Sequence, residues 1–202
     1  QQVVMPIDDY VAGKLGRDVK TLLSQLAGAQ VDTVALAIRN IERGSALICA
    51  HETGVGKGRV VAAIIEYARM RGMVPVFITA KPNLFEDMVA RDLPALGNKD
   101  FKPFITNAKY AFEDAHGNEV KGSGTAASRI AEMEAIVRTG NLPGGAQGVF
   151  TTYDQLKSDK PAGWQESPKD KFRRKGGRDG KNAQPRPDGP RFAMLRALAP
   201  RA

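Results

Sequence analysis

Along the first forty or so residues the apolar positions fall three and four apart, the spacing of one face of a helix. Ile7, Tyr10 and Val11, then Val19, Leu22, Leu23 and Leu26, predict two short amphipathic helices separated by Gly16-Arg17-Asp18, with Asp18 as N-cap of the second. Val31, Val34, Ala35, Ile38 and Ile41 predict a third helix from about Gln30 to Glu42, ending near Arg43-Gly44. The pattern then changes. Ser45-Ala46-Leu47-Ile48-Cys49-Ala50 lies between Gly44 and polar His51-Glu52 and reads as a short buried strand, taking Cys49 inside with it. Val60, Val61, Ile64, Ile65 and Ala68 resume helical spacing as far as about Arg71, Gly72 breaks it, and Val74-Pro75-Val76-Phe77-Ile78-Thr79 reads as a second buried strand. Strand, helix and strand in such close succession predict a βαβ unit, with parallel strands and a right-handed crossover.

Farther on, Asn83 and Glu86 form a capping-box-like pair ahead of Leu84, Phe85, Met88, Val89, Leu93 and Leu96, which again lie at helical spacing. Phe101 to Thr106 reads as a third strand whose start is blurred by Pro103. Residues 107–124 are polar and turn-rich and read as a surface excursion, with His116 exposed in a turn. Ile130, Met133, Ile136 and Val137 predict a helix from Thr125 to Arg138, and Gly148-Val149-Phe150-Thr151-Thr152 a fourth strand. From 158 to 190 proline, glycine, lysine and arginine dominate and Trp164 and Phe172 are the only aromatics, so a flexible basic insertion is expected there. Phe192, Leu195, Leu198 and Ala199 close the chain as a short helix over part of residues 191–202. The whole predicts an α/β fold: a parallel sheet flanked by helices over residues 44–157, preceded by N-terminal helices over residues 1–43.

Composition narrows the class. A chain of 202 residues with 42% hydrophobic content can bury one core of ordinary size. Its one cysteine rules out an internal disulfide or a cysteine-based metal cluster. No apolar run approaches the ~18 residues that span a bilayer, and no signal-peptide pattern opens the chain. A soluble protein of the cytoplasm, or of the nucleus in a eukaryote, is expected. The first residue is Gln1, which fits a mature or excised fragment. The charge is concentrated: residues 157–202 hold thirteen basic and five acidic residues, and so the whole net excess of +8. Such a block suits a nucleic acid or another polyanion, and a solvated loop equally well.

The chemistry lies between the first predicted strand and the helix after it. Glu52-Thr53-Gly54-Val55-Gly56-Lys57-Gly58 has glycines that let backbone N–H groups turn inward at a helix start, where they and the dipole behind them can face a phosphate, with Lys57 adding a point charge. Strand, glycine-lysine loop and helix together make a P-loop. Against the pattern G-x-x-x-x-G-K-[ST], His51 stands at the first glycine and Gly58 at the hydroxyl that holds magnesium. A tight turn carrying a surface lysine is the other reading of the same residues. Lys81 in Ala80-Lys81-Pro82-Asn83 sits where open α/β sheets bind ligands, and is either a phosphate contact or a routine loop lysine. The hydroxyls of Thr151, Thr152 and Tyr153, at the end of the fourth strand, can contact phosphates or cap the next helix.

Taken together, Gln30-Val31-Asp32-Thr33-Val34, the run from Ile48 to Arg59 with Gly-Val-Gly-Lys-Gly-Arg at its core, Phe77-Ile78-Thr79-Ala80-Lys81-Pro82-Asn83-Leu84 and Phe150-Thr151-Thr152-Tyr153 resemble the first RecA-like domain of superfamily 2 helicases. More narrowly they are similar to the strawberry notch-like helicases, including those that phages and plasmids carry beside DNA methyltransferase domains. The similarity runs from roughly Ile7 to Ala202, and glycine stands at the Gly58 position in that family too. The resemblance implies ATP and Mg2+ as cofactors. It implies Gln30 as the adenine-reading glutamine, Thr53, Gly54, Val55, Gly56, Lys57, Gly58 and Arg59 as nucleotide contacts with Lys57 catalytic, and Lys81, Pro82, Asn83, Thr151, Thr152 and Tyr153 as contacts to the DNA backbone.

Such enzymes also need an Asp-Glu pair at the end of a further strand and arginines from a second RecA-like domain. Four apolar residues followed by Asp-Glu do not occur; Phe85-Glu86-Asp87 and Phe112-Glu113-Asp114 have the reverse order. The family places that strand just after a helix like the one around Phe192 to Leu198. The expectation is therefore the N-terminal part of an ATP-dependent DNA helicase or translocase, its second domain outside the chain and its isolated ATP turnover poor. Two other classes share these features: a P-loop nucleotide-binding protein indifferent to DNA, and a non-hydrolysing nucleic-acid-binding module that relies on the basic segment.

Overall fold

A computed structural model describes residues 5–50, 52, 54–107, 109–122, 124–157 and 188–199. The expected basic insertion falls almost wholly on residues 158–187, outside the described residues.

Four helices open the chain: α1 (Ile7–Lys14), α2 (Val19–Gln25), α3 (Gly28–Glu42) and α4 (Lys57–Met70). Asp18 caps α2 as expected, its Oδ1 accepting from the Thr21 N–H at 2.8 Å. Strand β1 (Val76–Thr79) follows, then α5 (Asn83–Glu86), a π-helical turn (Asp87–Asp92) and a 3-10 turn (Pro94–Leu96). Pro82 rather than Asn83 caps α5, so the expected capping box does not form. Next come β2 (Pro103–Ile105), β3 (Ala111–Glu113), β4 (Glu119–Lys121), α6 (Ala126–Thr139), β5 (Gly148–Thr152), α7 (Tyr153–Lys157) and α8 (Pro190–Leu198).

Strands β1, β5 and β2 form a parallel sheet in that order, with Thr79 opposite Thr152 and Ile105 opposite Phe150. All five residues of β5 are buried, as befits a central strand covered on both faces. Alternation along it divides the core. Phe150 joins Ile105, Phe85 and the buried residues of α1 to α4, while Val149 joins Phe104, Met133 and Ile136 of α6 and Met194 of α8. The fold is thus α/β, with helices on both faces of a parallel sheet.

Two expectations are corrected. Residues 45–50 form no strand and are exposed throughout, with Ile48 91% accessible and Cys49 at the surface. Apolar character alone does not make a strand; a ladder partner must take its N–H and C=O groups. Among the described residues β1 pairs on one side only, with β5, and residues 45 and 46 bond instead to α3: the Ser45 N–H donates to the Asn40 carbonyl at 2.8 Å and Asn40 Nδ2 to the Ala46 carbonyl at 3.0 Å. The βαβ unit around α4 is therefore not formed. Second, residues 107–124 are not plain loop, since β3 and β4 pair antiparallel with Phe112 opposite Val120, and Phe112 and Tyr110 extend the first core. His116 does lie exposed in the connecting turn.

Glu42 ties the N-terminal helices to α4. It accepts from the Lys14 ammonium, from Tyr10 Oη at 3.1 Å and from Tyr67 Oη at 3.0 Å. The Lys14 contact, then that of Tyr67, holds its carboxyl below the ordinary value of 4.5. A carboxyl depressed by folding contributes stability that is present above the ordinary value and lost as pH falls through the folded one. Below pH 4.5 the melting temperature of the native chain is expected to fall faster than that of Glu42→Gln. Parallel pH profiles would contradict the assignment.

Candidate phosphate-binding site

The start of α4 is shaped by two glycines. Gly54 (φ 98°) and Gly56 (φ 76°, ψ 40°) hold left-handed backbone conformations that other residues rarely adopt, and the N-cap, Gly56, has no side chain with which to cap the helix. The first turn of a helix carries N–H groups without intrahelical partners and the positive end of the dipole. Left-handed residues before such a turn form a concavity suited to an anion. The loop itself is exposed from 54 to 56, and Lys57 Nζ reaches back to the Glu52 carbonyl at 2.8 Å, bracing its two ends.

Gln30 sits beneath this loop. Its Oε1 accepts from the Ala27 N–H at 2.9 Å, while Nε2 donates to the carbonyls of Val55 at 3.0 Å and Gly56 at 3.3 Å. A Cβ at Gly56 would run into that amide group. Gln30 is buried and braces the loop, with both ends of its amide engaged on backbone. Arg59 turns away to the end of α2, its guanidinium donating to the Gln25 carbonyl at 2.8 Å. Arg17 ties α2 to α4 through an ion pair with Glu66 and a hydrogen bond to Gln25. Burial pushes the Glu66 carboxyl up despite the opposing pull of Arg17. Of the expected nucleotide contacts, Gly54, Val55, Gly56 and Lys57 thus form one surface with Gln30 behind it and Gly58 in the first turn of α4. Thr53 lies outside the described residues.

The link from α4 to β1 is short, residues 71–75, and beyond β1 the sheet presents its carboxyl end. Lys81, Pro82 and Asn83 follow β1 at that end, and the register of Thr79 with Thr152 brings Tyr153 beside them. Lys81, Asn83 and Tyr153 are exposed. Thr151 and Thr152 are not: both are buried, the Thr106 hydroxyl meets that of Thr151 at 2.6 Å, and Asn107 Nδ2 donates to Thr152 Oγ1 at 3.3 Å. Their hydroxyls join the ends of β2 and β5, which corrects the expectation that both would face a polyanion.

A residue that the sequence pattern passed over completes the site. Asp92, at the end of the π-helical turn, is 5% exposed and stands against Gly58. Its signal was present: position 92 lies four after Met88 and three after Val89, a charge on an otherwise apolar helical face. Among the described residues no three metal-ligating side chains cluster, so a divalent ion at this loop would depend on nucleotide phosphates together with a lone carboxylate. Compared with known proteins, the chain matches no family model, no curated protein and no solved structure.

Proposed function

We propose that this chain binds ATP at the loop of residues 52–58 and serves as the N-terminal part of an ATP-dependent DNA helicase or translocase with a RecA-like first domain. The observation that carries the reading is the pair of left-handed glycines at the start of α4, with Lys57 beside them and Gln30 bracing them from below. In this reading the loop amides and the dipole of α4 hold the phosphates, and Lys57 leaves the Glu52 carbonyl to pair with them. Mg2+, when bound with the nucleotide, supplies charge neutralisation at the phosphate oxygens. Lys81, Asn83 and Tyr153 contact the DNA backbone from the carboxyl ends of β1 and β5, where a cation, an amide and a phenol are exposed together. The Asp-Glu pair and the second domain that turnover requires are contributed by sequence outside this chain.

Titration with a fluorescent ATP analogue tests this. Lys57→Ala is expected to weaken binding by about 2 kcal/mol, roughly thirtyfold, the scale of one hydrogen bond to a charged group. Equal affinities would overturn the nucleotide reading. Single-stranded DNA should bind with an affinity that falls with salt, and Lys81→Ala should reduce that salt slope by about 1. Nucleotide binding without any DNA binding would favour a P-loop protein of another class, and the reverse a nucleic-acid module.

A further inference from the structure

The P-loop pattern asks for a serine or threonine directly after its lysine because that hydroxyl ligates the divalent ion. Gly58 has no hydroxyl, yet the space where one would stand is filled. A Cβ built on Gly58 would lie 2.7 Å from Asp92 Cγ and 3.2 Å from Oδ1, with Oδ2 nearer still. The carboxylate is carried there by the π-helical turn after α5, between buried Met88 and Val89 on one side and Leu93 on the other. Its hydrogen-bond partner is Arg91, which donates from Nε to Oδ1 at 3.2 Å and from Nη2 to Oδ2 at 3.1 Å. Arg91 is 63% exposed and also pairs with Asp87, so it covers the outer side of the carboxylate. A carboxylate offers about four acceptor positions, and Arg91 takes two of them.

We propose that Asp92 supplies the protein oxygen that ligates Mg2+ at this site, taking the part of the hydroxyl that Gly58 lacks. The inference rests on the nucleotide reading above. It fits the ion's chemistry, since Mg2+ is commonly held by one or two carboxylates together with substrate phosphates. It also explains why the position is glycine, because any side chain at 58 would displace the carboxylate. A carboxylate facing the phosphate loop repels a metal-free nucleotide and attracts a metal-bound one. The site therefore discriminates for the metal complex.

The test uses Mn2+ as the probe ion with a non-hydrolysable ATP analogue, reading free Mn2+ by electron paramagnetic resonance and nucleotide affinity by fluorescence. Asp92→Asn is expected to lower Mn2+ affinity in the nucleotide complex at least about tenfold, the smallest loss seen even for residues that only support metal ligands. Nucleotide affinity in EDTA should be unchanged or tighter. The double variant Gly58→Ser/Asp92→Ala clears the space and restores a hydroxyl, and is expected to recover most of the Mn2+ affinity lost in Asp92→Asn. Native-like Mn2+ affinity in Asp92→Asn, with nucleotide still bound, would overturn the role of Asp92 and leave the nucleotide site standing. A loss that the double variant does not recover would overturn it too, and the double variant decides alone if the asparagine form does not fold. A native chain that binds no nucleotide, with or without Mn2+, would overturn the nucleotide reading and this inference with it.

Discussion

Phe150→Ala is expected to remove about 4 kcal/mol of stability, the middle of the range for deleting a buried aromatic ring. Phe150 is fully buried on the central strand, and its ring meets three others, with centroids 5.0 Å from Phe77, 5.5 Å from Phe85 and 5.6 Å from Phe101. Each contact joins a different part of the fold: β1, α5 and the entry to β2. The neighbours are themselves large and lie on separate elements, so they cannot all collapse into the vacated space, and the cavity cost adds to the lost transfer energy. Against a typical total of about 5–15 kcal/mol, this is a large fraction. Urea unfolding should show a lower midpoint with an unchanged slope. Phe150→Leu should lose only about 1.5 kcal/mol, since it refills most of the volume. A loss below about 1 kcal/mol in the alanine variant would mean that the four rings are not the core of the sheet.

Arg17→Ala is expected to cost about 3 kcal/mol, at the low end for breaking a buried pair because the Glu66 side chain keeps 18% of its exposure. The larger part of the cost is the group left behind. Glu66 Oε2 already lies buried without a partner among the described residues, and burial already raises the carboxyl pKa; without Arg17 only the weaker pull of Arg69 opposes that rise. A carboxyl raised by folding contributes stability at low pH that is lost as pH rises through the folded value. The deficit of Arg17→Ala relative to native should therefore shrink as pH is lowered toward the ordinary value of 4.5, and Glu66→Gln in the same background should recover part of it at pH 7. A deficit that is the same at every pH would show that the arginine acts by packing alone. Because Arg17 also bonds Gln25, whose carbonyl receives Arg59, its loss should loosen the first turn of α4 as well.

How much of this was legible depended on how local each determinant is. Helices α1 to α4 and α6 could be read because Val31, Val34 and Ile38, or Ile130, Met133 and Ile136, repeat one face several times over. Strand β5 is legible with its bounds because four apolar or β-branched residues, Val149 to Thr152, lie between a glycine turn and a helix, and a central strand hides both faces. The segment at 45–50 is likewise a short apolar run and yet is exposed, since strand formation is settled by a neighbour that those six residues do not specify. The β3–β4 hairpin was invisible for the opposite reason: each strand has three residues and one large apolar side chain, Phe112 or Val120, too few to show alternation.

At the site, Gly54, Gly56 and Lys57 were legible because they are contiguous and their chemistry is local. The bracing by Gln30 and the approach of Asp92 to Gly58 are long-range, across 26 and 34 residues, and could be seen only once α3 and the turn after α5 were packed on α4. Burial of Thr151 and Thr152 belongs to the same class, because Thr106 and Asn107 reach them from another strand.

In the proposed reading the glycine loop at the start of α4 holds the nucleotide's phosphates. The most direct measurement is a titration of the 15N-labelled chain with ATP and Mg2+, following the backbone amide resonances. The largest shifts are expected on Gly54, Val55, Gly56, Lys57 and Gly58, and ADP, one phosphate shorter, should move the same amides less. Amides of this loop that stay in place while others shift, or no shift anywhere at millimolar ATP, would contradict it.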